Sequence, residues 1–241
     1  MQDAVPNWFT FMTSPEGRTV FAWEEAAFAR TVAHCNGDRA VQIGCSVLDP
    51  LKTSVIGHHV LVTEEDVTLE KNDWRTPVTA LSTELPLQSE CSDLVVWPHG
   101  VDAPTSHPEA SLREIHRILA PSGVLILTFF NASGFWSLKQ RLGGRTVFPS
   151  GTIPQNTNHV KTLLTRANLN VEGGFYGVYG TAEGGKTGLL PTKLDLAGNR
   201  WWPTLSNVVL LVARKRVQGV TLVGRTAFAR HQRTIGALQQ N

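Results

Sequence analysis

Sulfur and charge are both scarce in this chain of 241 residues, which has three cysteines, two methionines and only 17% charged residues. Cys35, Cys45 and Cys91 are an odd number at no metal-ligand spacing, so they read as scattered reduced thiols rather than a disulfide framework or a zinc cluster. A net charge of +2 provides no long-range field that would mark the chain for nucleic acid or a membrane. No apolar run approaches the ~20 residues that span a bilayer, and the N-terminal MQDAVPNWFTFMTSPEGR lacks a basic region followed by an apolar core. The chain is therefore expected to be cytoplasmic. Internal repeats and low-complexity linkers are also missing.

What is present is an ordinary globular composition, 41% hydrophobic, long enough to bury a core as one domain. Trp23 to His34 carries apolar positions at helical spacing, and Ala40 to Ile43 reads as a short buried strand. Further strands are expected at Val55 to Thr63, Pro77 to Leu81 and Asp93 to Trp97. Ser106 and Glu109 form a capping box for a helix with Leu112, Ile115 and Leu119 inward and Arg113, Glu114 and Arg117 toward water; Pro121-Ser122-Gly123 ends it. Val124 to Phe130 is so uniformly apolar that a central parallel strand is expected. His159 to Asn168 reads as a helix. The strands that follow, around Val171 to Tyr179 and Asn207 to Lys215, have no helix between them and suggest an antiparallel hairpin at the sheet edge. One domain is expected over 1–217, with an N-terminal extension 1–22 and a loop insertion 180–206, followed by a basic tail 218–241. The tail holds Arg225, Arg230 and Arg233 and no acid, which leaves a nucleic-acid acceptor as a minor reading beside a solvated arm.

Gly180 to Thr187, GTAEGGKT, fits the pattern of a triphosphate-binding loop letter for letter. Such a loop needs a helix directly after its Lys-Thr, and here Gly188 and Pro191 break any helix at once. The segment reads as a glycine-rich surface loop, with Lys186 as a solvated lysine or an anion contact. A nicotinamide dehydrogenase is also weak: GCSVLD supplies one glycine of G-x-G-x-x-G, and Gly180 and Glu183 stand where Tyr176 and Tyr179 would need a lysine four residues on.

In a doubly wound sheet, ligands bind at the carboxyl ends of strands. Gly44, after the first strand, permits close backbone approach. Glu64, Glu65 and Asp66, about 20 residues on, suit ribose hydroxyls or a solvated turn. His99, in WPHG after the fourth strand, reads as a general base or as a structural histidine bonding backbone. Trp97 near that strand end is core or a face for a cation, and Trp201-Trp202 anchors a long loop or lines an acceptor pocket.

AVQIGCS, the acids ending the second strand, SECSDLVVWPHGVD, EASLREIHRILAPSGVLILTFFN and NVVLLVARKR together resemble class I S-adenosylmethionine-dependent methyltransferases of the type 11 family, from about Val41 to Lys215. Within that family, the run from Pro98 to Lys139 and the later RWWP…VARKR resemble a bacterial subgroup. The resemblance implies an α/β, Rossmann-like seven-stranded sheet of order 3-2-1-4-5-7-6, strand 7 antiparallel, with helices on both faces. It implies S-adenosyl-L-methionine as cofactor, held by Gln42, Ile43, Gly44, Cys45 and Ser46 at its amino-acid end. Glu64 or Glu65 would take the ribose, Thr83 and Glu84 the adenine, and Pro98 and His99 would face the methyl. Phe130, Asn131 and Trp201 would border an acceptor, a small molecule before a nucleic acid. Family members usually follow the first glycine with two more, where this chain has Ser46 and Leu48; either the loop is rerouted around an intact pocket, or the fold survives without catalysis as a binding module.

Overall fold

The computed structural model describes residues 8–67, 73–104, 107–143, 147–179 and 203–216. Helix α1 (Trp8–Thr13) leads into α2 (Pro15–Val32), and Ser14 caps α2 by accepting from Gly17 N–H at 3.0 Å. The helix begins eight residues before the apolar spacing announces it, because Ser14-Pro15-Glu16 is itself a start signal: cap, pre-set φ and an acid in the first turn. Strands β1 (Arg39–Ile43), β2 (His58–Thr63), β3 (Arg75–Thr79), β4 (Ser92–Pro98) and β5 (Leu119–Phe130) run parallel to their neighbours. After α4 (Phe135–Arg141) and α5 (Thr157–Arg166), β6 (Leu169–Gly177) pairs antiparallel with β7 (Val208–Lys215), which inserts antiparallel beside β5. The order is β3-β2-β1-β4-β5-β7-β6, the Rossmann-like sheet expected.

Strand alternation divides the apolar residues between two cores. Val41, Ile43, Val95, Trp97, Leu125 and Leu127 face α3 (Pro108–Ile118) and α5, meeting Leu112, Ile115 and Leu163. Ala40, Val96, Ile126 and Phe130 face the N-terminal helices, meeting Val20, Phe28 and Phe11. Both faces of β5 are therefore covered, which accounts for its uninterrupted apolar run.

Two local expectations are corrected. Helix α3 starts on Pro108 with His107 at its N-cap and no side-chain cap, proline at the first position fixing φ, while Ser106 of the expected box lies outside the described residues. The helix ends at Ile118 with Leu119 as its C-cap and the first residue of β5, so Pro121-Ser122-Gly123 lie inside that strand rather than ending the helix. Arg117 is part-buried rather than free in water: its guanidinium donates to the carbonyls of Leu85 and Leu87 (2.9 and 2.8 Å) and to Glu114, tying the β3–β4 connection to α3. The triphosphate-loop pattern at Gly180 to Thr187, most of the loop insertion and the tail lie outside the described residues. No described helix is long and apolar enough to cross a membrane.

Ile126, fully buried at the centre of β5, is a direct test of this core. Ile126→Ala is expected to lower unfolding stability by about 2–5 kcal/mol in urea with an unchanged m-value; a loss under about 1 kcal/mol would contradict a close-packed β5.

Candidate functional site

Chain order reverses direction between β1 and β4, and there the carboxyl ends of β1, β2 and β4 enclose a cavity of about 550 Å³. The size suits a cofactor. Its walls are the turn after β1, the acids after β2, the residues after β3, the end of β4, and Trp8 from α1.

The turn after β1 places Gly44 at φ 71° and Cys45 at φ 43°, both left-handed. A Cβ built on Gly44 would meet nothing within 4 Å, so glycine serves the backbone turn and opens the wall to a ligand. Leu48, where relatives of the expected family carry a glycine, points away from the cavity into the core and is 2% exposed. Ile43, Gly44, Cys45 and Ser46 all line the cavity. Gln42 lies beneath: its side-chain amide donates to the carbonyls of Gly44, Cys45 and Leu48 at 3.1, 3.0 and 2.9 Å. Burial, with Glu24 nearby, holds the Cys45 thiol protonated above its usual range.

Glu64 and Glu65 face the cavity, whereas Asp66 accepts from Thr79 Oγ1 at 2.6 Å. Beyond β3 the wall is Ala80, Leu81 and Ser82; Thr83 and Glu84 come one turn later and do not line it. Pro98, His99 and Gly100 form the opposite end. Gly100 is compulsory there, since a Cβ would overlap the Trp97 indole.

His99 lies at the floor of that end, 3% exposed and left-handed at φ 51°. Its Nε2 is 3.0 Å from Glu24 Oε1 and its Nδ1 is 3.2 Å from Asp102 Oδ2, with all three side chains buried. Asp102 Oδ2 also accepts the Phe130 backbone N–H at 2.7 Å. Trp8 and Phe130 cover the imidazole, with ring centroids 4.7 and 4.4 Å away. Burial pulls the imidazole toward the neutral form, but the two carboxylates outweigh it and push His99 up to about 10. Burial raises Asp102 as well, against the pull of His99. The cluster thus retains protons, and as an imidazolium His99 has no lone pair with which to act as a base.

Phe130 is fully buried behind Trp8 and His99. Asn131 is committed elsewhere, donating to Thr204 O and Ser206 O at 2.9 and 3.0 Å and accepting from Ser133 N–H, so it fastens the end of β5 to the segment before β7. Trp201 lies outside the described residues. Four site residues escaped the sequence reading: Trp8, Glu24, Arg75 and Asp102. Glu24 had a signal, an acid on the same helical stripe as Val20, Phe21, Ala27 and Phe28; the other three had none. A second cavity, about 600 Å³, lies at the opposite rim of the sheet, where Arg214 is already bound to Glu172 and the cations are exposed. Among the described residues no group of three or more His, Cys, Asp or Glu side chains could hold a metal ion.

Set against known proteins, the chain matches no family model and no curated protein sequence. Solved structures do match. An S-adenosylmethionine-dependent methyltransferase from Archaeoglobus fulgidus is 15% identical, with 87% of this chain and 100% of that one covered and a TM-score of 0.60. One from Mesorhizobium loti is 13% identical, covering 85% and 100%, at 0.54. The [4+2]-cyclase SpnF is 15% identical, covering 83% and 82%, at 0.52. The chain thus has the class I methyltransferase fold.

The charge state of His99 has a measurable consequence. Stability from the cluster is fully present below the ordinary histidine value of 6.5 and is lost as pH rises through about 10. The thermal midpoint is expected to fall between pH 7 and 10, and ¹⁵N spectra should show both ring nitrogens of His99 protonated at pH 8. A neutral ring at pH 8 would contradict the assignment.

Proposed function

We propose that the chain is an S-adenosylmethionine-dependent methyltransferase, of the type 11 family and its bacterial subgroup, acting on a small acceptor in the cytoplasm. The observation that carries this reading is the open cavity at the switch between β1 and β4, with a left-handed glycine turn on one wall and two carboxylates about 20 residues on. The residues present fit the cofactor: the wall at Gly44 has room, and the volume is that of a nucleoside with an amino-acid arm.

When bound, S-adenosylmethionine supplies a methyl group on a sulfonium, open to in-line displacement by a lone pair. In this reading Glu64 or Glu65 accepts from the ribose hydroxyls, Ala80 to Ser82 flank the adenine, and the Gly44–Val47 turn receives the amino-acid end. Trp8, Trp97 and Pro98 border the methyl, where aromatic faces favour a sulfonium and exclude water. Holding acceptor and methyl in line accounts for most of the acceleration such a site needs. His99 shapes that end as a fixed cation between two carboxylates; a proton-bearing acceptor loses its proton to another group or arrives ionised.

A second reading, a binding module without catalysis, is favoured by Ser46 and Leu48 in place of glycines, and the cyclase neighbour supports the view that this fold does not entail methyl transfer. Isothermal titration separates the two. S-adenosylmethionine and S-adenosylhomocysteine are expected to bind with a Kd of about 1–100 μM, and Glu64→Gln with Glu65→Gln to weaken both about tenfold or more. Refusal of both ligands at millimolar concentration would leave the fold without the reaction.

A further inference from the structure

The two missing glycines raise a physical question, since a turn carrying Ser46 and Leu48 must be held in shape by something other than glycine. The brace is a buried arginine from a strand two places away. Arg75, at the start of β3 and 7% exposed, extends its guanidinium beneath the turn. Nη1 donates to Gln42 Oε1 and Leu48 O, both at 2.8 Å, and Nη2 to Ser46 O at 3.3 Å. Nε and Nη2 also bind Asp73, which neutralises the charge and fixes the fork. Gln42, oriented by Arg75, covers the carbonyls of Gly44, Cys45 and Leu48. The carbonyls of Gly44, Cys45, Ser46 and Leu48 are therefore all bound from the protein side.

That arrangement sets the other side as well. In a planar trans peptide the N–H of each residue points opposite the preceding carbonyl. With the Gly44, Cys45 and Ser46 carbonyls drawn onto the brace, the N–H groups of Cys45, Ser46 and Val47 turn away from it, on the side where these residues line the cavity. None of the three donates a hydrogen bond among the described residues. Consecutive N–H groups of this kind, beginning in left-handed backbone, form an anion-binding concavity.

We propose that Arg75 is the positioning residue of the binding turn: through Gln42 and the turn's carbonyls it presents three N–H groups to the carboxylate of a ligand's amino-acid arm. The inference deepens the function proposed above and rests on it for the ligand. Arginine is required because four acceptors in different directions need its planar fork of five donors, which the point charge of lysine cannot supply.

The test compares two probes. S-adenosylhomocysteine carries the amino-acid arm, and methylthioadenosine keeps the nucleoside without it. In Arg75→Gln, Arg75→Lys and the milder Asp73→Asn, affinity for S-adenosylhomocysteine is expected to fall about tenfold or more while that for methylthioadenosine stays within about threefold. Hydrogen exchange without ligand should quicken at Gly44 and Leu48, whose N–H groups close the turn by donating to Val62 O and Cys45 O, and stay slow in β4 and β5. Unchanged affinity for both probes, or an equal loss of both, overturns the proposal. If the wild-type chain binds neither probe, the proposed function fails instead, and the brace is judged by exchange alone: unaltered protection at Gly44 and Leu48 in Arg75→Lys overturns it.

Discussion

The site depends on one buried ionic cluster, in which an imidazolium is held between two carboxylates. Glu24 comes from α2, His99 from the end of β4, and Asp102 from the connection beyond it; Asp102 also takes the backbone N–H of Phe130 at the end of β5. Three elements distant in sequence therefore meet at one charge. Such a cluster is a poor source of net stability, because desolvating three ionisable groups consumes most of the attraction. Its effect is positional. Removing His99 leaves both carboxylates buried without their cation, a loss of about 3–5 kcal/mol, and drawing Glu24 away with the N-terminal helices takes one of the two partners from the imidazole. Trp8 lies over His99 and Phe130, so the same cluster fixes the aromatic wall at one end of the cavity.

The other end is fixed by neutral geometry around one more buried cation. Glycine-rich turns approach ligands closely because they lack side chains. Here the turn has one glycine, Leu48 is buried in the core, and the carbonyls of the turn are bound by Gln42 and Arg75. The cavity is thus held between two networks, one centred on Arg75 beneath the turn after β1 and one on His99 at the floor of the other end, and each cation is paired with a carboxylate. Glu64 and Glu65 line it as hydrogen-bond acceptors, which suits a ligand with hydroxyls.

Much of the fold was legible because its signals are local. Uniform apolarity announced β5 and helical spacing announced α3, whereas Pro121-Ser122-Gly123, expected to end that helix, lies within β5. The sheet order and the walls at Ile43 to Ser46, Glu64, Glu65, Pro98 and His99 followed from the resemblance and from the rule that ligands sit at strand carboxyl ends. What stayed hidden depends on contacts between distant residues. Arg75 looks like any arginine at a strand start until Asp73, Gln42 and Leu48 surround it. His99 could be read as a base because nothing in WPHG reveals Glu24, 75 residues upstream, on its Nε2. Asn131 sits at the strand end where an acceptor residue was expected, yet its amide fastens the chain before β7. Arg117 seemed solvent-facing by helical spacing, but the carbonyls of Leu85 and Leu87 are brought to it only by the folded β3–β4 connection.

The central claim is that a cavity with a single turn glycine still seats an adenosyl cofactor, and a crystal structure of the chain grown with S-adenosylhomocysteine tests it most directly. Density is expected between β1 and β4, with the ribose hydroxyls on Glu64 or Glu65 and the carboxylate on the N–H groups of Cys45 to Val47. A fully occupied ligand lying elsewhere, or an empty cleft in crystals grown at millimolar ligand, would contradict it.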